Sequence, residues 1–152
     1  MEEPIFKPKM GRIDYTNIRR ALVINCVIRY QNRILIVRRN KKMKFYPNLW
    51  NGISGFLDDG KSIEQKAKEE IKEELGLEEK NILKIKQGKI FEIEEPEYSK
   101  TWIVHPILVE VNTDKIKLDW EAQNYKWLKD KEVKNFNFVP GFDKVLKNLS
   151  LR

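Results

Sequence analysis

The chain has 152 residues, 41% of them hydrophobic and 11% aromatic, which excludes a wholly disordered polymer and predicts one domain with a self-sufficient core. Lys and Arg number 30 against 23 acids, a net charge of +7. That balance favours an anionic partner such as a nucleotide or polyphosphate; nucleic acid is compatible but not required. A single cysteine, Cys26, excludes an internal disulfide and a cysteine-rich metal site.

No apolar run approaches the ~20 residues that a membrane-spanning helix needs. The opening Met-Glu-Glu-Pro-Ile-Phe-Lys-Pro lacks the apolar stretch of a secretory leader. The expectation is a cytoplasmic protein that does not engage membranes.

Residues 1–17 carry Pro4, Pro8 and Gly11 with little periodicity and read as an N-terminal arm, with a short edge strand expected near Arg12–Tyr15. Such an arm is compatible with pairing across a homodimer. Residues 18–152 read as one domain. Ala21–Ile28 is a nearly continuous β-branched run, the pattern of a strand covered on both faces. A turn at Gln31-Asn32 leads to a second strand, Ile34–Val37, ending in Arg38-Arg39. A polar and aromatic loop, Asn40–Asn48, follows.

Ser62–Leu75 is the clearest helix. Ser62 and Gln65 have the spacing of a capping box. Ile63, Ala67, Ile71 and Leu75 form one apolar stripe, and Gly76 sits where a left-handed residue would end the helix. Beyond it, Ile82–Ile93 and Thr101–Val111 alternate like strands around the acidic turn Glu94-Glu95-Pro96-Glu97. Tyr125–Leu128 predicts a short strand, Lys129–Phe136 a helical turn or two, and Pro140–Leu149 a closing helix with Val145, Leu146 and Leu149 on one face.

The chemistry concentrates on the mid-chain helix. Glu70, Glu73 and Glu74 stand at i, i+3 and i+4 and cover only about 100° of its circumference. Like charges on so narrow a stripe repel, and helix stability does not ask for them. Oxygen ligands of this kind suit a hard divalent cation. The plain alternative is a solvated acidic face balanced by Lys66, Lys68 and Lys72.

The segment from Gly55 to Leu77 resembles the signature of the Nudix hydrolases, G-x5-E-x7-R-E-U-x-E-E-x-G-U, where U is a large aliphatic residue. Gly55, Glu70, Ile71, Glu73, Glu74, Gly76 and Leu77 match with the spacing intact. Two positions depart: Lys61 stands for the first Glu, and Glu69 for the Arg. The signs are exchanged, which predicts an ion pair of reversed polarity between Lys61 and Glu69; the plain alternative is two unrelated changes that leave Glu69 as extra negative charge near the metal. The resemblance extends over roughly Arg19 to Leu149, through Arg38-Arg39, Tyr46–Trp50, Trp102–Leu108 and Asp119–Leu128.

The resemblance implies an α/β fold, an α/β/α sandwich with a mixed sheet between the signature helix and a C-terminal helix. It implies hydrolysis of a nucleoside diphosphate linked to another moiety. Mg²⁺ or Mn²⁺ would be held by Glu70, Glu73, Glu74 and the Gly55 carbonyl, with Glu70, Glu73 and Glu121 as the catalytic candidates. Arg38 and Arg39 are candidate phosphate clamps, although one of two consecutive strand residues should point away. Phe45, Tyr46 and Trp50 are candidate base platforms, with core packing the competing fate of Trp50. His105 and Cys26 read as packed strand residues. The alternative function is a catalytically weak or inactive nucleotide- or RNA-binding module, favoured by the changes at Lys61 and Glu69. An isopentenyl diphosphate isomerase is disfavoured, because Cys26 and His105 lie inside strands away from the signature.

Overall fold

The structure, a computed structural model, describes residues 19–57 and 60–151. The expected arm and its strand near Arg12–Tyr15 lie outside the described residues. Strand β1 (Arg20–Tyr30) is the axis of a mixed eight-stranded sheet. On one side it runs parallel to β7 (Lys100–Val111), from Arg20 opposite Thr101 to Arg29 opposite Glu110. On its other side it changes partner midway. Val23–Cys26 pair antiparallel with β4 (Ile53–Phe56), and Ile28–Tyr30 with β2 (Arg33–Arg39). Beyond β2 lie β3 (Trp50–Asn51) and β8 (Ala122–Leu128), both antiparallel to it.

The far side of β7 is also shared. The expected single strand Ile82–Ile93 is in fact two, β5 (Ile82–Gln87) and β6 (Phe91–Glu95), each antiparallel to β7. The break has a local cause. Gly88 N–H donates to the Pro106 carbonyl at 2.8 Å, so that edge of β7 is where Pro106 lacks an N–H to give back. At Gly88 a Cβ would also lie 2.7 Å from the Asn148 carbonyl oxygen, so the chain turns there against the C-terminal helix.

Among the described residues two α-helices cover the sheet, one per face. Helix α1 (Ile63–Leu75) packs Ala67, Ile71 and Leu75 onto Ile24, Cys26, Ile28, Ile107 and Val109. Helix α2 (Phe142–Asn148) packs Phe142, Val145 and Leu146 onto the opposite face, with Ala21, Val27, Ile36 and Leu108. Burying one such aliphatic side chain contributes ~1.5–3 kcal/mol, so both faces of β1 are needed. The sheet therefore lies between the signature helix and the C-terminal helix, an α/β/α sandwich. Helix α2 begins later than Pro140, because Gly141 takes a left-handed conformation (φ 92°) at its N-cap. A 3₁₀ segment, Asp130–Asn135, occupies the stretch after β8.

Candidate active site

Helix α1 is positioned by its ends. The Ser62 hydroxyl accepts from Gln65 N–H at 3.1 Å, and the Gln65 side chain accepts from Ser62 N–H at 3.0 Å. Gly76 closes the helix at φ 69°, its N–H on the Lys72 carbonyl. With both ends fixed, the glutamates emerge beside β4. Gly55 is the contact point, pairing with Ile24 in the sheet. A Cβ there would lie 2.7 Å from the Glu70 carboxyl carbon and 2.9 Å from its Oε1. Only a glycine lets this carboxylate rest on the strand.

The carboxylates fall into two groups that share Glu70. Oxygens of Glu69, Glu70 and Glu73 lie within 4.8 Å of one another. Glu74 turns to Glu70 and to Glu121, which the loop before β8 brings in from far along the chain. Burial first, then the charges of Glu121 and Glu70, push the Glu74 carboxyl well above the usual carboxylate range. Its Oε2 is closed off from solvent without a hydrogen-bond partner. Glu121 is also raised, chiefly by burial, against the opposing pull of its hydrogen bond with Glu74. Its backbone is pinned: Asn40 N–H donates to the Glu121 carbonyl at 2.8 Å, and Glu121 N–H donates to Asp119 Oδ1 at 3.0 Å.

Three fixed cations answer this negative charge. Lys61 Nζ makes an ion pair with Glu69 Oε2. Lys66 Nζ lies 3.2 Å from Glu70 Oε1. Arg39 lies in the field of Glu74 and Glu121, with burial drawing its pKa down and both carboxylates raising it. Of the consecutive arginines, Arg39 is the one that faces the carboxylates. Its Nε donates to the Phe45 carbonyl at 2.9 Å. Arg38 instead sits opposite Trp50 in the β2–β3 ladder and gives its Nε to the Asn48 carbonyl at 3.0 Å.

Phe45 does not serve as a base platform. It is 8% exposed, edge-on to Tyr98 and Trp102, and fills the core. Tyr46 is likewise engaged: its hydroxyl accepts from Trp102 Nε1 at 2.8 Å and its N–H donates to the Tyr98 hydroxyl at 3.0 Å. Trp50 is half-buried with Phe136 edge-on at 5.2 Å. His105 is packed in β7, both ring nitrogens closed off without a hydrogen-bond partner, and burial draws its pKa down. Cys26 is fully buried, and burial pushes its thiol up.

Lys66 entered the sequence reading only as a counter-charge in the plain alternative of a solvated acidic face. It belongs to the buried side of α1, not to a solvated face. Its spacing held the signal, since Ile63, Lys66 and Glu70 follow i, i+3, i+7 alongside the apolar stripe.

The donor set contains only oxygens, one of them a buried carboxylate oxygen without a partner. That set fits a hard divalent cation. The family model for the NUDIX domain matches residues 18–149, and the chain belongs to the Nudix family, hydrolases that act on phosphoanhydride bonds.

Solved structures agree on the fold. An Ap4A hydrolase from C. elegans superposes with a TM-score of 0.67 at 20% identity, covering 86% of this chain and 95% of that one. A NUDIX hydrolase from Nitrosomonas europaea gives 0.70 at 18%, covering 87% and 89%. The NUDIX domain of Shewanella oneidensis NrtR, complexed with ADP ribose, gives 0.69 at 14%, covering 95% and 92%. No curated protein matches the chain by sequence. No helix among the described residues is long and apolar enough to cross a membrane.

Proposed function

We propose that this chain hydrolyses a pyrophosphate bond in a nucleoside diphosphate linked to another moiety, using Mg²⁺ or Mn²⁺. In this reading Glu70, Glu73 and Glu74 hold the ion together with the Gly55 carbonyl. The ion, when bound, neutralises phosphate charge and polarises a water. Glu121 is the candidate base, since it lies beside Glu74 and burial raises its pKa, which makes it a better proton acceptor than an ordinary carboxylate. Arg39 is the candidate phosphate contact, because it faces the carboxylates while Arg38 braces the Asn48 turn. Phosphoryl transfer rests mainly on positioning and electrostatics, so no nucleophilic Ser or Cys is required.

The observation that carries this reading is Glu121. A residue from a separate loop comes to Glu74 and Glu70, and burial beside these like charges raises Glu74 and Glu121, a cost that a bound cation would offset. The nucleotides named for the C. elegans hydrolase and the Shewanella domain support the substrate class. The test is a panel of ADP-ribose, dinucleoside polyphosphates, nucleoside triphosphates and capped RNA, with and without Mg²⁺. Mg²⁺-dependent release of a phosphorylated product from at least one class is expected. Nucleotide binding with no hydrolysis at any Mg²⁺ or Mn²⁺ concentration establishes the binding module instead.

A further inference from the structure

Lys66 is fully buried, and its ammonium lies 3.2 Å from Glu70 Oε1. Glu70 itself is 4% exposed. Two features argue that stability is not the reason for this pair. A buried ion pair is typically no more stabilising than apolar side chains of similar volume, because both charges must leave water. The order along the helix, Lys before Glu at i and i+4, is also the weaker of the two orders. An alanine or methionine at this position would meet the needs of a packed helix.

The remaining explanation lies in what Glu70 touches. It is the carboxylate shared by the two acidic groups, and it rests on Gly55. We propose that Lys66 is a positioning residue: a built-in cation that occupies one oxygen of Glu70, fixes that carboxylate on Gly55, and sets how strongly and how many divalent ions the site takes. This rests on the proposed metal site and deepens it. Lys66 has no exposed surface, so it does not reach substrate. It acts through Glu70. Its charge opposes cation binding, so the site exchanges affinity for an arrangement that stands assembled before the ion arrives.

The test uses Lys66→Met, Glu70→Gln and the double variant, in the full-length chain. Mn²⁺ binding is followed by electron paramagnetic resonance, and thermal unfolding is recorded in EDTA and in Mn²⁺. The expected result is Mn²⁺ binding tighter by about tenfold or more in Lys66→Met, since a unit charge a few ångströms away has been removed, or a further bound ion. In EDTA that variant should have a lower Tm than wild type, with most of the loss recovered in Lys66→Met/Glu70→Gln, where neither charge remains.

A wild type that binds Mn²⁺ alongside a Lys66→Met that binds it equally or more weakly overturns the proposal and leaves the metal site standing. A wild type that binds no Mn²⁺ overturns the metal reading itself, and the proposal with it. If Lys66→Met is folded only in Mn²⁺, the proposal is supported. If neither it nor the double variant folds in any condition, Lys66 is held for its packing, and the proposal is overturned.

Discussion

Lys61 and Glu69 face each other at the start of helix α1, the ammonium of one on the carboxylate of the other. Both positions depart from the Nudix signature, and the structure joins the two departures in one contact. Lys61 is 44% exposed at its side chain, and an exposed pair contributes only ~0.2–1 kcal/mol. Its value is in orientation, because Glu69 also belongs to the cluster with Glu70 and Glu73.

Reversing one charge tests that value. Lys61→Glu places two carboxylates against each other and should lower kcat/KM by about tenfold, ~1.4 kcal/mol. Lys61→Glu with Glu69→Arg should regain most of it. Steady-state kinetics of the four proteins form a double-mutant cycle. Additive losses would show that the contact has no part in activity.

Gly55→Ala probes the strand against the helix. The new Cβ would fall 2.7–2.9 Å from the Glu70 carboxyl group, and backbone on both sides of Gly55 is held by the ladder to β1. Glu70 must move. A displacement near 1 Å costs ~10²-fold in rate, with ~1–3 kcal/mol lost from overpacking. Activity and urea unfolding measure the two effects separately; an unchanged rate would mean that Glu70 has freedom to withdraw.

His105 sets a pH limit on stability. Burial draws its pKa below the ordinary imidazole value of 6.5, so the unfolded chain takes up the proton first as the pH falls. The stability contributed by neutral His105 is present above 6.5 and is lost below it. Comparison of wild type with His105→Leu by urea melts isolates this effect: the difference in unfolding free energy should change below pH 6.5 and stay level above it.

Much of the fold was written locally. The capping box at Ser62 and Gln65, the stripe of Ile71 and Leu75, and Gly76 each act within a few residues, so α1 was legible to its ends. The nearly continuous apolar run of β1 announced its double coverage. Strands β3 and β4 were not announced, because Asn51, Gly52, Ser54 and Gly55 carry polar or absent side chains. What holds them is tertiary: the hydrogen bond that Asn25 Nδ2 donates to Asn51 Oδ1 at 2.8 Å and the ladder to β1. The break between β5 and β6 depends on Pro106, a residue on another strand.

The site followed the same division. Glu70, Glu73 and Glu74 share a helix and were readable from spacing. The choice of Arg39 over Arg38 depends on tertiary neighbours, the Asn48 carbonyl for Arg38 and the charges of Glu74 and Glu121 for Arg39, which no local pattern marks. Phe45 resembles a loop aromatic until Tyr98 and Trp102, more than fifty residues on, close over it. Charge misled the reading of Lys66, since lysine is almost never fully buried unless paired. Here its partner is the carboxylate one turn ahead.

Glu74 gives the sharpest separation of function from stability. Burial and the charges of Glu121 and Glu70 raise its pKa well above 4.5, so the folded protein binds a proton that the unfolded chain has released. Without metal, the stability that this group contributes is therefore present at low pH and declines as the pH rises through its raised pKa. Glu74→Gln keeps the shape and offers Glu121 an amide N–H in place of the proton. In EDTA at pH 8 the variant should melt higher than wild type, by ~2–4 °C for each kcal/mol of repulsion removed, and the decline with rising pH should flatten. Mg²⁺ should reverse the order. It stabilises wild type by binding only the folded state, while the variant, short of one anionic ligand, gains less and loses ~10²-fold or more in rate. Melting curves in EDTA and Mg²⁺ from pH 5 to about 9 decide the matter. A Glu74→Gln protein that gains as much from Mg²⁺ as wild type does would move the metal away from Glu74.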